Sequence, residues 1–195
     1  MGLQRCEAVE AALDHLLEDA ARLVVALRVQ EGGGAAGAAK LGEALLHHGD
    51  LERARRQFER AVEIDPAYAQ GHAYLGHVLD LLGEGACAEH HLQEAIQLAP
   101  DYPLSYYFLG THYLHKGWAV TARESLLQGH DVAPLDPGLC AAVADTYLQQ
   151  SRADYAAAEQ WLHAAVDRAP DDVRFHLLLA HFYVDYNVDP GLRGV

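Results

Sequence analysis

Residues 35–68 read AAGAAKLGEALLHHGDLERARRQFERAVEIDPAY, and this stretch decides the fold. Small and apolar residues recur at helical spacing in both of its halves: Leu41, Gly42 and Leu45, then Ala54, Phe58 and Ala61. A Gly-Asp pair interrupts the helical pattern between the halves, and an Asp-Pro pair ends it. The stretch therefore predicts two short amphipathic helices joined by a tight turn.

The chain repeats this stretch with a period of 34 residues. Three columns show the period most clearly: Gly42, Gly76 and Gly110; Ala54, Ala88 and Ala122; Pro66, Pro100 and Pro134. A fourth copy has Ala144 in the glycine column, and two additional residues fall within 149–154. A fifth copy begins at Val173. This period and pattern resemble those of the tetratricopeptide repeat (TPR) family.

The resemblance implies an all-α fold, a right-handed solenoid of antiparallel helix pairs. About four units and a partial fifth are expected within residues 35–186: 35–68, 69–102, 103–136, 137–172 and 173–186. We expect the glycine column of each first helix to face the alanine column of the second, which allows close approach of the two helices. Each pair leaves apolar surface that only the next pair covers, so the stability comes from stacking.

The two ends of the chain depart from the repeat. Residues 1–31 show helical periodicity without a breaker and predict an N-terminal helix, which serves either as a cap or as a docking element. Residues 187–195 form either a folded-back tail or a truncated repeat.

The composition limits the classes of partner. The formal net charge of −14 repels phosphate groups, so nucleic acid and anionic membranes are not expected to bind. No apolar run approaches the roughly 20 residues of a membrane helix. The cysteines Cys6, Cys87 and Cys140 lack metal-ligand spacing, and we expect them to be reduced core or near-core residues of a cytoplasmic protein.

The resemblance also implies a concave groove formed by the first helix of each repeat. The candidate partner-binding residues in this groove are Glu43, His47, Tyr74, His77, Asp80, Tyr107, Thr111, His115, Asp145 and His181. In TPR domains that clamp the terminal carboxylate of heat-shock chaperones, Lys, Arg and Asn side chains hold that group. The matching positions here are Ala39, Glu43, Tyr74, Leu104 and Phe108. Without a cation to pair with a carboxylate, the groove is expected to prefer a partner with basic residues.

Neither a catalytic nor a metal site is predicted. The sequence has no GxSxG motif, no nucleotide fingerprint and no HExxH motif, so we expect a non-enzymatic protein without a cofactor. Pairs with the helical spacing of two metal ligands include His77 with Asp80, His181 with Asp185, and His112 with His115. None of these pairs has a visible third ligand.

The leading hypothesis is a TPR adaptor or scaffold that binds a peptide or a helical segment of a partner protein in an acidic, histidine-rich groove. A second hypothesis makes the chain the recruitment or regulatory arm of a larger enzyme. A third is a structural homo-oligomer that assembles through the N-terminal helix or the open C-terminal end.

Overall fold

A computed structural model describes residues 34–186, and this part of the chain contains helices and no strands. The helices are α1 (Ala35–His47), α2 (Leu51–Ile64), α3 (Ala69–Leu81), α4 (Gly85–Leu98), α5 (Pro103–His115), α6 (Ala119–Val132), α7 (Pro137–Leu148), α8 (Tyr155–Arg168) and α9 (Val173–Asp185). The predicted all-α solenoid of helix pairs is thereby confirmed. The predicted N-terminal helix over 1–31, with Cys6, and the tail 187–195 lie outside the described residues.

The helices pack in sequence order. Each first helix packs most extensively against the second helix that follows it, as α1 does with α2, and each second helix then packs against the next first helix. The backbones of consecutive first helices (α1, α3, α5, α7 and α9) also approach each other, whereas between residues 34 and 186 the backbones of consecutive second helices do not, and α6 and α8 are bridged by the side chains of His130 and Trp161. The first helices therefore lie on the inner side of the solenoid, and the second helices lie on the outer side.

Three of the four turns within the pairs share one conformation. Gly49, Gly83 and Gly117 have φ angles of 76°, 83° and 74°, which favour glycine. The fourth turn, between α7 and α8, runs from 149 to 154 and has no glycine, which agrees with the position predicted for the two additional residues. The longer turn replaces the glycine bend and still joins α7 to α8.

The glycine column allows close helix approach, but its main neighbour differs from the expectation. A Cβ atom on Gly76 would lie 2.6 Å from Leu92 Cγ and 2.9 Å from the carbonyl oxygen of Ala88. A Cβ atom on Gly42 would lie 2.7 Å from the ring of Phe58. The large residue one turn after each alanine therefore fills the space over the glycine, and in the second pair the alanine backbone also contacts it.

The cysteine prediction is correct for Cys140 and wrong for Cys87. Cys140 is a free, buried thiol on α7, whereas Cys87 is free and exposed on α4. Position 87 precedes the buried Ala88 on α4, so its side chain points away from the packed helix face. Among residues 34–186, no helix is long and apolar enough to cross a bilayer.

Candidate functional site

The predicted partner-binding residues all lie on first helices or at their ends, and therefore on the inner side of the solenoid. The structure brings most of them into three neighbourhoods along this side. One contains Glu43 and Tyr74, the second contains His77, Asp80 and His115, and the third contains Tyr107, Thr111 and Asp145. His47 and His181 are exposed and belong to none of the three.

The third neighbourhood forms a cavity of about 270 Å³ between α5, α7 and α9. Tyr107 and Thr111 come from α5, Asp145 comes from α7, and the remaining lining residues are Leu114, Gly138, Ala141, Ala142, Arg174, Phe175 and Leu178. The repeat columns place Tyr107, Thr111 and Asp145 correctly on one surface. They give no signal for Arg174 and Leu178, since these α9 residues stand outside the columns used to predict the groove.

Asp145 dominates the electrostatics of this cavity. Its carboxylate is solvent-accessible, but the surrounding protein reduces its solvation and raises its pKa above the ordinary value. Within residues 34–186 it has no hydrogen-bond or ion-pair partner. The cation at the rim, Arg174, is already paired with Asp172 at 2.6 Å. The cavity therefore presents an acidic group without a counter-ion beside an aromatic ring, that of Tyr107.

In the second neighbourhood, Asp80 holds histidines of the next repeat. Its two carboxylate oxygens contact Nδ1 of His112 and, at 2.7 Å, Nδ1 of His115. His112 is buried and was not among the predicted site residues. Asp80 therefore joins α3 to α5, and its carboxylate is occupied by contacts within the chain.

His77 lies beside this group and is held neutral. Its ring stacks on that of Phe108, with the centroids 4.1 Å apart and the planes nearly parallel. Burial lowers the pKa of His77 to about 4, and the nearby Asp80 only partly opposes this shift. At neutral pH, His77 thus contributes an uncharged ring to the inner surface.

The first neighbourhood combines an acidic residue with stacked aromatic rings. Gln70 Nε2 donates a hydrogen bond of 2.9 Å to Glu43 Oε1. The Tyr74 ring stacks on Phe58 with 5.3 Å between centroids and meets Phe108 edge-on at 5.5 Å. Burial raises the pKa of Tyr74, and the negative charge of Glu43 adds to this shift. Tyr74 is therefore mainly a packing residue that connects neighbouring repeats.

Comparison with known proteins agrees with this geometry. Residues 35–68 match the sequence profile of the tetratricopeptide repeat. No curated protein sequence matches the chain. Among solved structures, a thermophilic TPR protein of Thermus thermophilus is similar, with a TM-score of 0.78 and 22% identity, over 93% of this chain and 98% of that chain.

Two further structures share the fold. A chain of the APC/C hetero-tetramer Cut9-Hcn1 has a TM-score of 0.75 and 20% identity, over 87% of this chain and 34% of that chain. MamA of Desulfovibrio magneticus RS-1 has a TM-score of 0.61 and 19% identity, over 80% of this chain and 87% of that chain. Residues 35–68 are thus a tetratricopeptide repeat, and the chain has the solenoid fold of TPR proteins.

Proposed function

We propose that the protein is a non-enzymatic scaffold whose inner surface binds a peptide or helical segment of a partner protein. A lysine or arginine of the partner enters the cavity beside Asp145. The observation that carries this proposal is the accessible Asp145 carboxylate without a partner among residues 34–186, in a cavity that is otherwise mostly apolar.

The chemistry of the cavity suits a long basic side chain. The aliphatic stem of a lysine or arginine packs against apolar residues such as Leu178, and its charged end reaches Asp145. The face of Tyr107 offers a cation–π contact. Because the surroundings already reduce the solvation of Asp145, a bound cation restores favourable interactions that the free carboxylate lacks. The overall charge of −14 also speeds association with a basic partner.

We also propose that this binding takes place in the cytoplasm. The buried Cys140 thiol is free, which suits a reducing compartment. The same negative charge supports the proposal that nucleic acid is not a partner.

A peptide-binding experiment tests the Asp145 contact. Helical peptides are screened in matched sets, in which one position holds lysine, arginine or the uncharged norleucine. The affinity of the basic peptide that binds best is then measured by fluorescence anisotropy. We expect Asp145→Asn to weaken this binding by about 10-fold or more, because hydrogen bonds to charged groups contribute about 1.5–3 kcal/mol. Binding should also weaken as the pH falls through the raised pKa of Asp145, since only the ionised carboxylate attracts the cation.

The matched control is Asp131→Asn, which removes an equal charge from an exposed position on α6, on the outer side of the solenoid. This variant should bind the basic peptide almost as well as the unaltered protein. Equal losses in both variants would indicate attraction by net charge alone, and an undiminished affinity of Asp145→Asn would refute the proposed cavity contact.

Two other hypotheses have their own tests. The similarity to the Thermobaculum terrenum O-GlcNAc transferase spans 77% of this chain and 26% of that chain at 19% identity, with a TM-score of 0.62, and supports a role as the recruitment arm of an enzyme. The mass of the native protein, purified by an antibody against the solenoid, decides whether a further domain is attached.

Self-assembly is tested by light scattering of the 195-residue chain and of a chain that lacks residues 1–31. If both chains are monomeric, self-assembly is excluded.

A further inference from the structure

Three potential metal ligands meet away from the inner-surface residues described above. His72 lies on α3, and His91 and Glu94 lie on α4. One ligand atom from each side chain lies within 4.8 Å of the other two. His72 Nδ1 is 3.1 Å from His91 Nδ1 and 3.4 Å from Glu94 Oε2. The cluster thus joins both helices of one pair.

A backbone contact orients His72 toward the other two residues. His72 Nε2 lies 3.1 Å from the carbonyl oxygen of Pro66. A carbonyl oxygen only accepts hydrogen bonds, so Nε2 carries the hydrogen and donates it. In the neutral ring, the lone pair is then on Nδ1 and points into the cluster. A carbonyl that fixes a histidine in this way is the usual outer-shell arrangement of metal-binding histidines.

The converging atoms have more acceptors than donors. With His72 neutral, its Nδ1 accepts, and so does the Glu94 carboxylate 3.4 Å away. Among these three residues only one hydrogen, on His91 Nδ1, is then available, and the neighbouring His90 Nε2 comes no closer than 3.6 Å to Glu94 Oε2. A metal cation at the centre would satisfy all three atoms at once.

The distances fit a transition-metal site. Ligands about 2.0–2.1 Å from Zn²⁺ in tetrahedral geometry are about 3.3–3.4 Å apart, close to the 3.1 and 3.4 Å that separate His72 Nδ1 from the other two ligand atoms. Imidazole nitrogens also favour ions of this class over Mg²⁺ or Ca²⁺. We propose that His72, His91 and Glu94 bind a divalent transition-metal ion, with Zn²⁺ as the ion to test, and leave a fourth position for water.

An ion can reach the cluster from the outer side of the solenoid. His72 is buried, with 5% of its surface exposed, but the side chain of Glu94 is 38% exposed. His91 also lines a cleft of about 330 Å³ between α2 and α4, in which three carboxylates, those of Glu59, Glu63 and Glu84, outnumber the one cation, Arg55. The site therefore combines a buried ligand with accessible ones and an acidic approach.

Calorimetric titration of the 195-residue protein with Zn²⁺ tests the site. We expect one Zn²⁺ per chain, and we expect His91→Ala and Glu94→Gln to weaken binding by about 100-fold or more, since loss of outer-shell partners alone costs about 10–100-fold. Both positions are partly exposed, so these variants should fold, which circular dichroism checks. Titration with Co²⁺ reports the geometry, because a four-coordinate ion shows intense visible absorption.

The matched control is His48→Ala, which removes an exposed histidine outside the cluster and should leave Zn²⁺ binding unchanged. Equal weakening by His91→Ala and His48→Ala would reveal non-specific binding to surface histidines and overturn the site. Absence of binding to the unaltered protein would do the same. These results are independent of peptide binding by Asp145.

Discussion

Replacing Gly76 with alanine tests the packing that sets the spacing within each helix pair. The added Cβ would lie 2.6 Å from Leu92 Cγ and 2.9 Å from the Ala88 carbonyl oxygen. Leu92 is fully buried and has no free space to enter, and the carbonyl belongs to the backbone of α4. The two helices must therefore move apart or distort. Overpacking of this kind costs about 1–3 kcal/mol, and contact with backbone places Gly76→Ala near the upper end.

The helix propensity of alanine offsets part of this cost. Alanine exceeds glycine by about 1 kcal/mol inside a helix, so we expect a net loss of about 2 kcal/mol. For a chain of this size that loss lowers Tm by roughly 4–8 °C, which circular dichroism measures directly. The control is Gly85→Ala on α4, where the nearest atom, His112 Cε1, would lie 3.4 Å from the new Cβ. That variant should match or exceed the Tm of the unaltered protein.

An unchanged Tm for Gly76→Ala would refute this reasoning. It would mean that the α3–α4 pair widens without cost. A loss in both glycine variants would instead point to a general sensitivity of α3 and α4 rather than to the contact over Gly76.

Two further predictions concern a helix cap and a buried histidine. Asp50→Ala removes the hydrogen bond that Arg53 N donates to Asp50 Oδ1 at the start of α2. This change should lower the free energy of unfolding by about 1 kcal/mol and the Tm by roughly 2–4 °C. An unchanged Tm would contradict the capping role. The pKa of His77 falls from 6.5 to about 4 on folding. Between these pH values the unfolded chain binds a proton at His77 that the folded chain does not bind. The free energy of unfolding should therefore decrease as the pH drops through this interval. Thermal melts across that range should show a shallower pH dependence for His77→Gln, and an identical dependence would contradict the assignment.

The fold could be read from the sequence because its repeats carry packing information. Positive-φ turns, small residues and prolines recur every 34 residues, and each has a distinct steric purpose. Which residue lies over each glycine could not be read in the same way. It depends on the axial offset of the two helices, and this offset places Phe58 over Gly42, where the repeat pattern alone suggested Ala54.

In the candidate sites, too, some contacts can be predicted from the repeat pattern, whereas others depend on how the helices pack. Tyr107, Thr111 and Asp145 meet because corresponding positions of successive first helices align, a regularity visible in the sequence. His72 and His91 are 19 residues apart and meet only through the pairing of α3 with α4. Helical i,i+3 spacing, the usual guide to metal ligands on one helix, relates His91 to Glu94 but gives no signal for His72. The third ligand, His72, lies on the other helix of the pair, and its position required the structure.

The unequal contacts along the two sides of the solenoid have a mechanical consequence. The backbones of consecutive first helices approach each other, whereas within residues 34–186 those of consecutive second helices do not, although the side chains of His130 and Trp161 bridge α6 and α8. The inner side therefore resists compression, while the outer side has room for adjacent pairs to close or spread. The solenoid should behave as a strip that is stiff along one edge and compliant along the other. A partner on the inner side would then alter the curvature mainly by changing the widths of the outer clefts.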